Sequence, residues 1–185
     1  VLTGAGRAFC SGQDLADRAG GVADLEKTLR EEYAPLLRAI INCPVPTIAA
    51  VNGPAAGAGA NIALAADVVF ASELPRQMGM AKAMGAALFA DKITARQADD
   101  WGMIWQAVPD AEFDAHWRAK AAQLAAGPTA AYAEAKKAIR ASWDNGLEDQ
   151  LSLEAEAQGR CGKSQDFAEG VMAFTQKRSP KFQGR

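Results

Sequence analysis

Apolar residues in this chain fall into short unbroken runs and longer spaced ones. The short runs are Val1-Leu2-Thr3, Val45 to Val51, and Asp67-Val68-Val69-Phe70-Ala71-Ser72. None alternates with polar residues, as expected for parallel strands covered on both faces. Elsewhere the spacing is helical. From Val22, Leu25, Leu29, Leu36, Leu37, Ile40 and Ile41 recur with charges between them, and Pro35 is placed to kink or split that helix. Asn42-Cys43-Pro44 closes it. Further helices are predicted from Met78 to Phe89 and from Thr94, as N-cap, to Gly102, as stop. Met103 to Val108 reads as a short strand or extended segment.

The rest is helical. One helix carries Phe113, Trp117 and Leu124 on one face and ends at Gly127-Pro128. A second, capped by Thr129, has Tyr132, Ala135, Ile139 and Trp143 on its buried side. A third opens at Leu147 and Leu151, and Ser164 caps a fourth with the stripe Phe167, Val171 and Phe174. That stripe reads as packing rather than as a cofactor box. Three strands make a thin sheet beside the usual 5–6 or so. Since Val1 already lies in strand-like sequence without an initiator methionine, further strands are expected in front of it.

Two glycine-rich stretches interrupt this pattern. In the first, Gly4 to Asp14, the residues Gly4, Gly6 and Gly12 can take positive φ. A GxG after a strand weakly resembles a dinucleotide fingerprint, but the third glycine and the directly following helix are missing. A plain connection between core elements is the competing reading. In the second, the strand Thr47 to Val51 enters the turn Asn52-Gly53-Pro54 and then the small-residue helix start Ala55-Ala56-Gly57-Ala58-Gly59. Such a junction leaves backbone N–H groups free to meet an anion, with almost no side chains in the way of a carbonyl or phosphate.

Composition narrows the chemistry. With 185 residues, 49% hydrophobic and 23% charged, the chain can bury one good core. A net charge of -2 argues against nucleic-acid binding, and no apolar run approaches a membrane span. No signal-peptide pattern is visible. Cys10, Cys43 and Cys161 are scattered and in no metal-ligand spacing, which points to a reducing, cytoplasmic compartment and to no metal site. His116 is the sole histidine and no nucleophile elbow accompanies it, so a Ser-His or Cys-His hydrolase is disfavoured.

Taken together, Val1 to Leu15 and Pro46 to Ala60 resemble the crotonase (enoyl-CoA hydratase/isomerase) superfamily. Matches continue at Leu74-Pro75-Arg76, Ile93 to Ala98, Trp101 to Trp105 and Phe174 to Phe182. Gly12 to Leu15, Trp101-Gly102-Met103-Ile104-Trp105 and Lys177-Arg178-Ser179-Pro180 are most similar to the subfamily that isomerises ring 1,2-epoxyphenylacetyl-CoA. The resemblance implies an α/β fold, a crotonase-like ββα spiral core over residues 1–110, with a helical trimerisation region over 111–185. It implies an acyl-CoA substrate, no cofactor beyond the coenzyme A of that substrate, and a homotrimer or hexamer (a dimer of trimers). It also places the N–H groups of Gln13 and Ala58 in an oxyanion hole for the thioester carbonyl. Ser11, Gln13, Asp14, Leu15, Gly57 and Ala58 would line the coenzyme A path. Phe174 and Lys177 match tail positions that reach the coenzyme A of a neighbouring subunit, although Lys177 also reads as an ordinary solvated charge.

The departures bear on the reaction. A family hydratase uses two glutamates, one of them at the position that is Asn61 here, and an amide cannot supply a proton at neutral pH. Isomerisation by a single carboxylate is therefore favoured over hydration. That carboxylate belongs to a segment between Ser72 and Leu74, where only Glu73 stands, at a strand end that does not suit the role. The expectation is a longer segment there in the functional enzyme; the alternative is a genuine deletion and a non-catalytic subunit that binds coenzyme A thioesters.

Overall fold

The computed structural model describes residues 1–13, 28–68, 79–89 and 91–185. Its sheet is parallel, as the unbroken apolar runs require. β1 (Leu2–Thr3) pairs with β2 (Ala49–Ala50) in the register Leu2↔Ala49 and Thr3↔Ala50. Ile48 forms a further parallel bridge to Val68, and Val68 N–H donates to Thr47 O at 3.0 Å. Of the third predicted strand, Val68 contributes this one bridge, and residues 69–72 lie outside the described residues. Ile48, Ala49 and Ala50 are all buried. Two consecutive alanines in β2 keep this part of the layer thin.

The helix predicted to be kinked or split at Pro35 instead runs on through it, with its hydrogen-bonding pattern changed in the preceding turn. Residues Leu29–Tyr33 form a π-helical turn, followed by α1 (Ala34–Ile41) with Pro35 in its first turn. Proline has no N–H to continue the α ladder, and its ring crowds the preceding turn. The chain widens in response: Ala34 N–H reaches back five residues to Leu29 O. After β2 comes α2 (Ala58–Leu64), whose Gly59 and Ala63 form a buried small-residue face.

α3 (Met80–Phe89) begins just after Gly79, which sits at φ +83°. In α4 (Ala95–Asp100) the Thr94 hydroxyl accepts the Gln97 N–H while Gln97 Oε1 accepts the Thr94 N–H, a reciprocal cap. Gly102 at φ +70° ends it, as expected. Four helices follow: α5 (Asp110–Ala125), α6 (Thr129–Ala141), α7 (Leu147–Cys161) and α8 (Gln165–Thr175). Ser164 caps α8 by accepting the Phe167 N–H at 3.0 Å. Thr129 does not cap α6; Pro128 holds the N-cap position and Thr129 is already the first helical residue. Within the pair α6–α7, Arg160 donates to Glu134 at 2.6 and 3.0 Å, and Gln150 donates to Ala138 O.

Two of the predicted buried faces are corrected. Ile139 and Trp143 are 66% and 57% exposed, and Phe174 is 87% exposed. Helical periodicity selects residues that share a face; it does not supply a cover within the same chain. The chain divides into two compact units, residues 1–43 with 47–117, and residues 44–46 with 118–185. Among the described residues no helix is long and apolar enough to cross a membrane.

Candidate active site

The two glycine-rich stretches lie side by side in the first unit. Phe9 and Cys10 N–H both donate to Pro54 O, at 3.0 and 3.3 Å, and Ala56 N–H returns a bond to Cys10 O at 3.0 Å. Cys10 and Ala55 thereby form a parallel bridge. At the other end of the loop, the Asn52 amide takes the Gly4 N–H on Oδ1 at 2.9 Å and donates from Nδ2 to Gly4 O and Gly6 O, each at 3.0 Å.

Glycine is required at several points of this seam, among them Gly12 and Gly57. Gly12 has φ +89°, and a Cβ there would lie 2.7 Å from Ala56 O and 3.3 Å from Ala58 N. Gly57 is the N-cap of α2 at φ 53°, ψ -127°, a region closed to side-chain-bearing residues. Of the three glycines able to take positive φ in the first loop, Gly6 and Gly12 do so and Gly4 does not. Its lack of a side chain serves close approach instead, since a Cβ would meet Asn52 Oδ1 at 2.8 Å.

This packing sets the amides of Gln13 and Ala58 in one small region. Standard backbone dimensions bound their separation at about 7 Å, given the approach of Gly12 to Ala58. Among the described residues neither amide donates a hydrogen bond. Both residues are half-buried. As the first residue of α2, Ala58 has no intrahelical acceptor for its N–H, and the Gln13 amide lies close by. Ser11 is exposed beside them, and Asn61 is exposed on α2. Residues 4–13 and 52–64 contain no Asp or Glu. Asp14, Leu15 and Glu73 lie outside the described residues.

Similarity to known proteins extends over the whole chain. A family model described as Enoyl-CoA hydratase/isomerase matches residues 1–75 and 72–185. The chain belongs to the enoyl-CoA hydratase/isomerase family. A "Probable enoyl-CoA hydratase" of Rhodobacter capsulatus is 57% identical over 207 positions, covering 100% of this chain and 80% of the relative. The 1,2-epoxyphenylacetyl-CoA isomerase of Escherichia coli is 42% identical over 211 positions, with the same coverage of both chains. The crystal structure of an enoyl-CoA hydratase from Bacillus anthracis superposes with a TM-score of 0.87 at 28% identity, covering 99% of this chain and 80% of that one. The fold is therefore the α/β crotonase fold. Both alignments run longer than the 185-residue chain, so those relatives carry residues with no counterpart here. The two stretches matched by the family model meet at residues 72–75, where a segment is expected to be missing.

Phe174 and Lys177 lie in the second unit, on the last turn of α8 and just beyond it. Lys177 is the only described non-glycine residue at positive φ, +52°. Its N–H bonds Phe174 O and the Arg178 N–H bonds Ala173 O, a Schellman closure that glycine normally makes. Placing lysine there costs about 1–2 kcal/mol. The closure is braced by Arg178, which grips Glu169 at 2.6 and 2.8 Å, while Lys181 N–H adds a bond to the same carboxylate at 2.7 Å. Buried Asp166 takes the N–H groups of Gln183 and Gly184 at 2.7 and 2.8 Å. Arg178 first, then the Lys181 amide, lowers the Glu169 carboxyl to about 2. An apolar groove of about 420 Å³ beside α8 is lined by Phe167, Val171, Phe174 and Phe182.

The resemblance singled out both amides, whereas Asn52 was read only as a turn residue. Its three bonds span 46 to 48 positions along the chain. The remaining signal was composition: an Asn between a buried strand and a Gly-Pro turn, facing a glycine loop with backbone groups to satisfy.

Proposed function

We propose that this protein is an acyl-CoA isomerase that holds a thioester carbonyl between the Gln13 and Ala58 amides. The observation that carries this reading is the pair of neighbouring N–H groups, neither with an acceptor among the described residues, on two loops hydrogen-bonded to each other. Removing a proton next to a thioester, at the α or γ carbon, builds negative charge on the carbonyl oxygen. Two preorganised donors stabilise that charge, and one such donor is worth about 3–4 kcal/mol. A single carboxylate that takes the proton from one carbon and returns it to another completes an isomerisation. That group would come from the segment expected between Ser72 and Leu74.

The favoured substrate is ring 1,2-epoxyphenylacetyl-CoA, converted to the oxepin, or an enoyl-CoA whose double bond is shifted. Support comes from the 42% identity to the Escherichia coli isomerase and from Asn61, which removes one carboxylate of a hydratase pair. The coenzyme A path would use Ser11, Gln13, Asp14, Leu15, Gly57 and Ala58, with Phe174 and Lys177 reaching a neighbouring subunit of a homotrimer or dimer of trimers. No further cofactor or metal enters this chemistry. Residues 1–110 would form the catalytic spiral and 111–185 the assembly region.

Hydration is the second reading, favoured by the 57% identity to the Rhodobacter capsulatus protein. Product analysis in ¹⁸O-labelled water separates the two. Isomerisation leaves the label out of the acyl group, whereas addition across a double bond puts it on the β carbon. Binding of both thioesters with conversion of neither would instead indicate a non-catalytic subunit.

A further inference from the structure

We propose that Asn52 is a positioning residue for the acyl-binding amide pair, acting through the backbone of the Gly4–Gln13 loop; this rests on the carbonyl-binding role assigned to Gln13 and Ala58. The loop leaves β1 at Thr3 and must deliver Gln13 beside α2 ten residues later. Over that span it forms no regular secondary structure beyond the bridge at Cys10, so its backbone groups need partners from elsewhere. The Phe9, Cys10 and Ala56 bonds fix its far end. The near end is held by one side chain, through Gly4 N–H to Oδ1 and Nδ2 to Gly4 O and Gly6 O.

Asparagine suits this task because it accepts and donates from a single rigid plane. Aspartate can take the Gly4 N–H but would set a negative charge against two carbonyl oxygens. Alanine leaves all three backbone groups without that partner. The residue also sits at the mouth of the second loop, one position before Gly53, whose close approach to Arg7 leaves no room for a Cβ. Asn52 therefore belongs to the same rigid turn that carries Pro54, Ala56 and Ala58. Whatever fixes the first loop to this turn fixes the Gln13 amide relative to the Ala58 amide.

The test reads the carbonyl directly and needs no turnover. Phenylacetyl-CoA labelled with ¹³C at the thioester carbonyl is bound to the full chain, and its C=O stretch is recorded by difference infrared spectroscopy. In the wild type the stretch moves to lower wavenumber than in free ligand. In Asn52→Ala it returns most of the way toward the free value, and Kd rises about threefold to tenfold, the scale of one neutral hydrogen bond. Asn52→Asp, which keeps one of the three bonds, gives a smaller return and is read alone if Asn52→Ala does not fold. Thr3→Val is the control: it removes the Thr3 hydroxyl bond to Ala50 O, a contact of similar sequence span in the same sheet. It should lower the melting temperature while leaving the stretch at the wild-type position. A shifted wild-type stretch that Asn52→Ala and Asn52→Asp both retain overturns the role of Asn52 and leaves the amide pair standing. An unshifted wild-type stretch overturns both.

Discussion

The loop seam and the α8 tail place candidate ligand-binding groups by opposite means. In the seam, the groups assigned to the ligand are backbone amides, and glycines and alanines are what allow two loops to interlock around them. Its precision comes from close approach: Gly12 lies against Ala56 and Ala58, and Gly59 against Cys10. In the tail, the groups are side chains, Phe174 and Lys177, and charged pairs brace the backbone that presents them. The difference predicts what each tolerates. A seam built on absent side chains fails when one methyl is added, whereas a tail braced by ion pairs responds to pH and charge.

The largest effect is expected from Ala58→Pro. Ala58 is the first residue of α2, a position where proline is compatible with the helix while its missing N–H removes one donor. Turnover should fall by about 10²–10³-fold or more, with little change in the circular dichroism of the folded protein. Undiminished turnover would break the comparison at its strongest point.

Gly12→Ala comes next. The added Cβ meets Ala56 O at 2.7 Å in a backbone conformation, φ +89°, that alanine resists. A loss of roughly 1–3 kcal/mol in chemical denaturation is expected, together with weakened acyl-CoA binding. Alanine accepted without cost would show that the loops are not interlocked there.

The tail should respond to acid where the seam does not. Glu169 has a folded pKa lowered from 4.5 to about 2 by Arg178 and the Lys181 amide. A depressed carboxylate contributes fully above its unfolded pKa and loses that contribution as pH falls through the folded one. The Lys181 amide should therefore keep constant hydrogen-exchange protection, after correction for intrinsic rate, above about pH 5. It should lose protection between pH 4.5 and about 2, and Glu169→Gln should remove that acid step.

The smallest effect is expected from Phe174→Ala. An 87% exposed ring holds little of the chain's own core together. Its stability should change by no more than about 0.5 kcal/mol, while affinity for a coenzyme A thioester falls. A large destabilisation would instead make Phe174 a packing residue, the reading its helical stripe first invites.

These contrasts also explain how far the sequence could be read. Strand positions, an irregularity of the helix at Pro35 and the caps at Thr94 and Ser164 were legible, because each follows from rules acting within a few residues. Thr129 failed as a cap because Pro128 occupies the N-cap position, which residue type alone did not reveal. The faces of Ile139, Trp143 and Phe174 were identified but not their exposure, since periodicity carries no information about what lies opposite. At the seam, Gln13 and Ala58 were singled out through resemblance. Asn52 was not, because its partners are nearly fifty residues away.

The central claim is that the Gln13 and Ala58 amides bind one oxygen together, and amide NMR tests it most directly. On titration of the ¹⁵N-labelled chain with phenylacetyl-CoA, both N–H resonances should move downfield along a single saturation curve. Saturation of the ligand elsewhere with both amides unmoved would contradict the account.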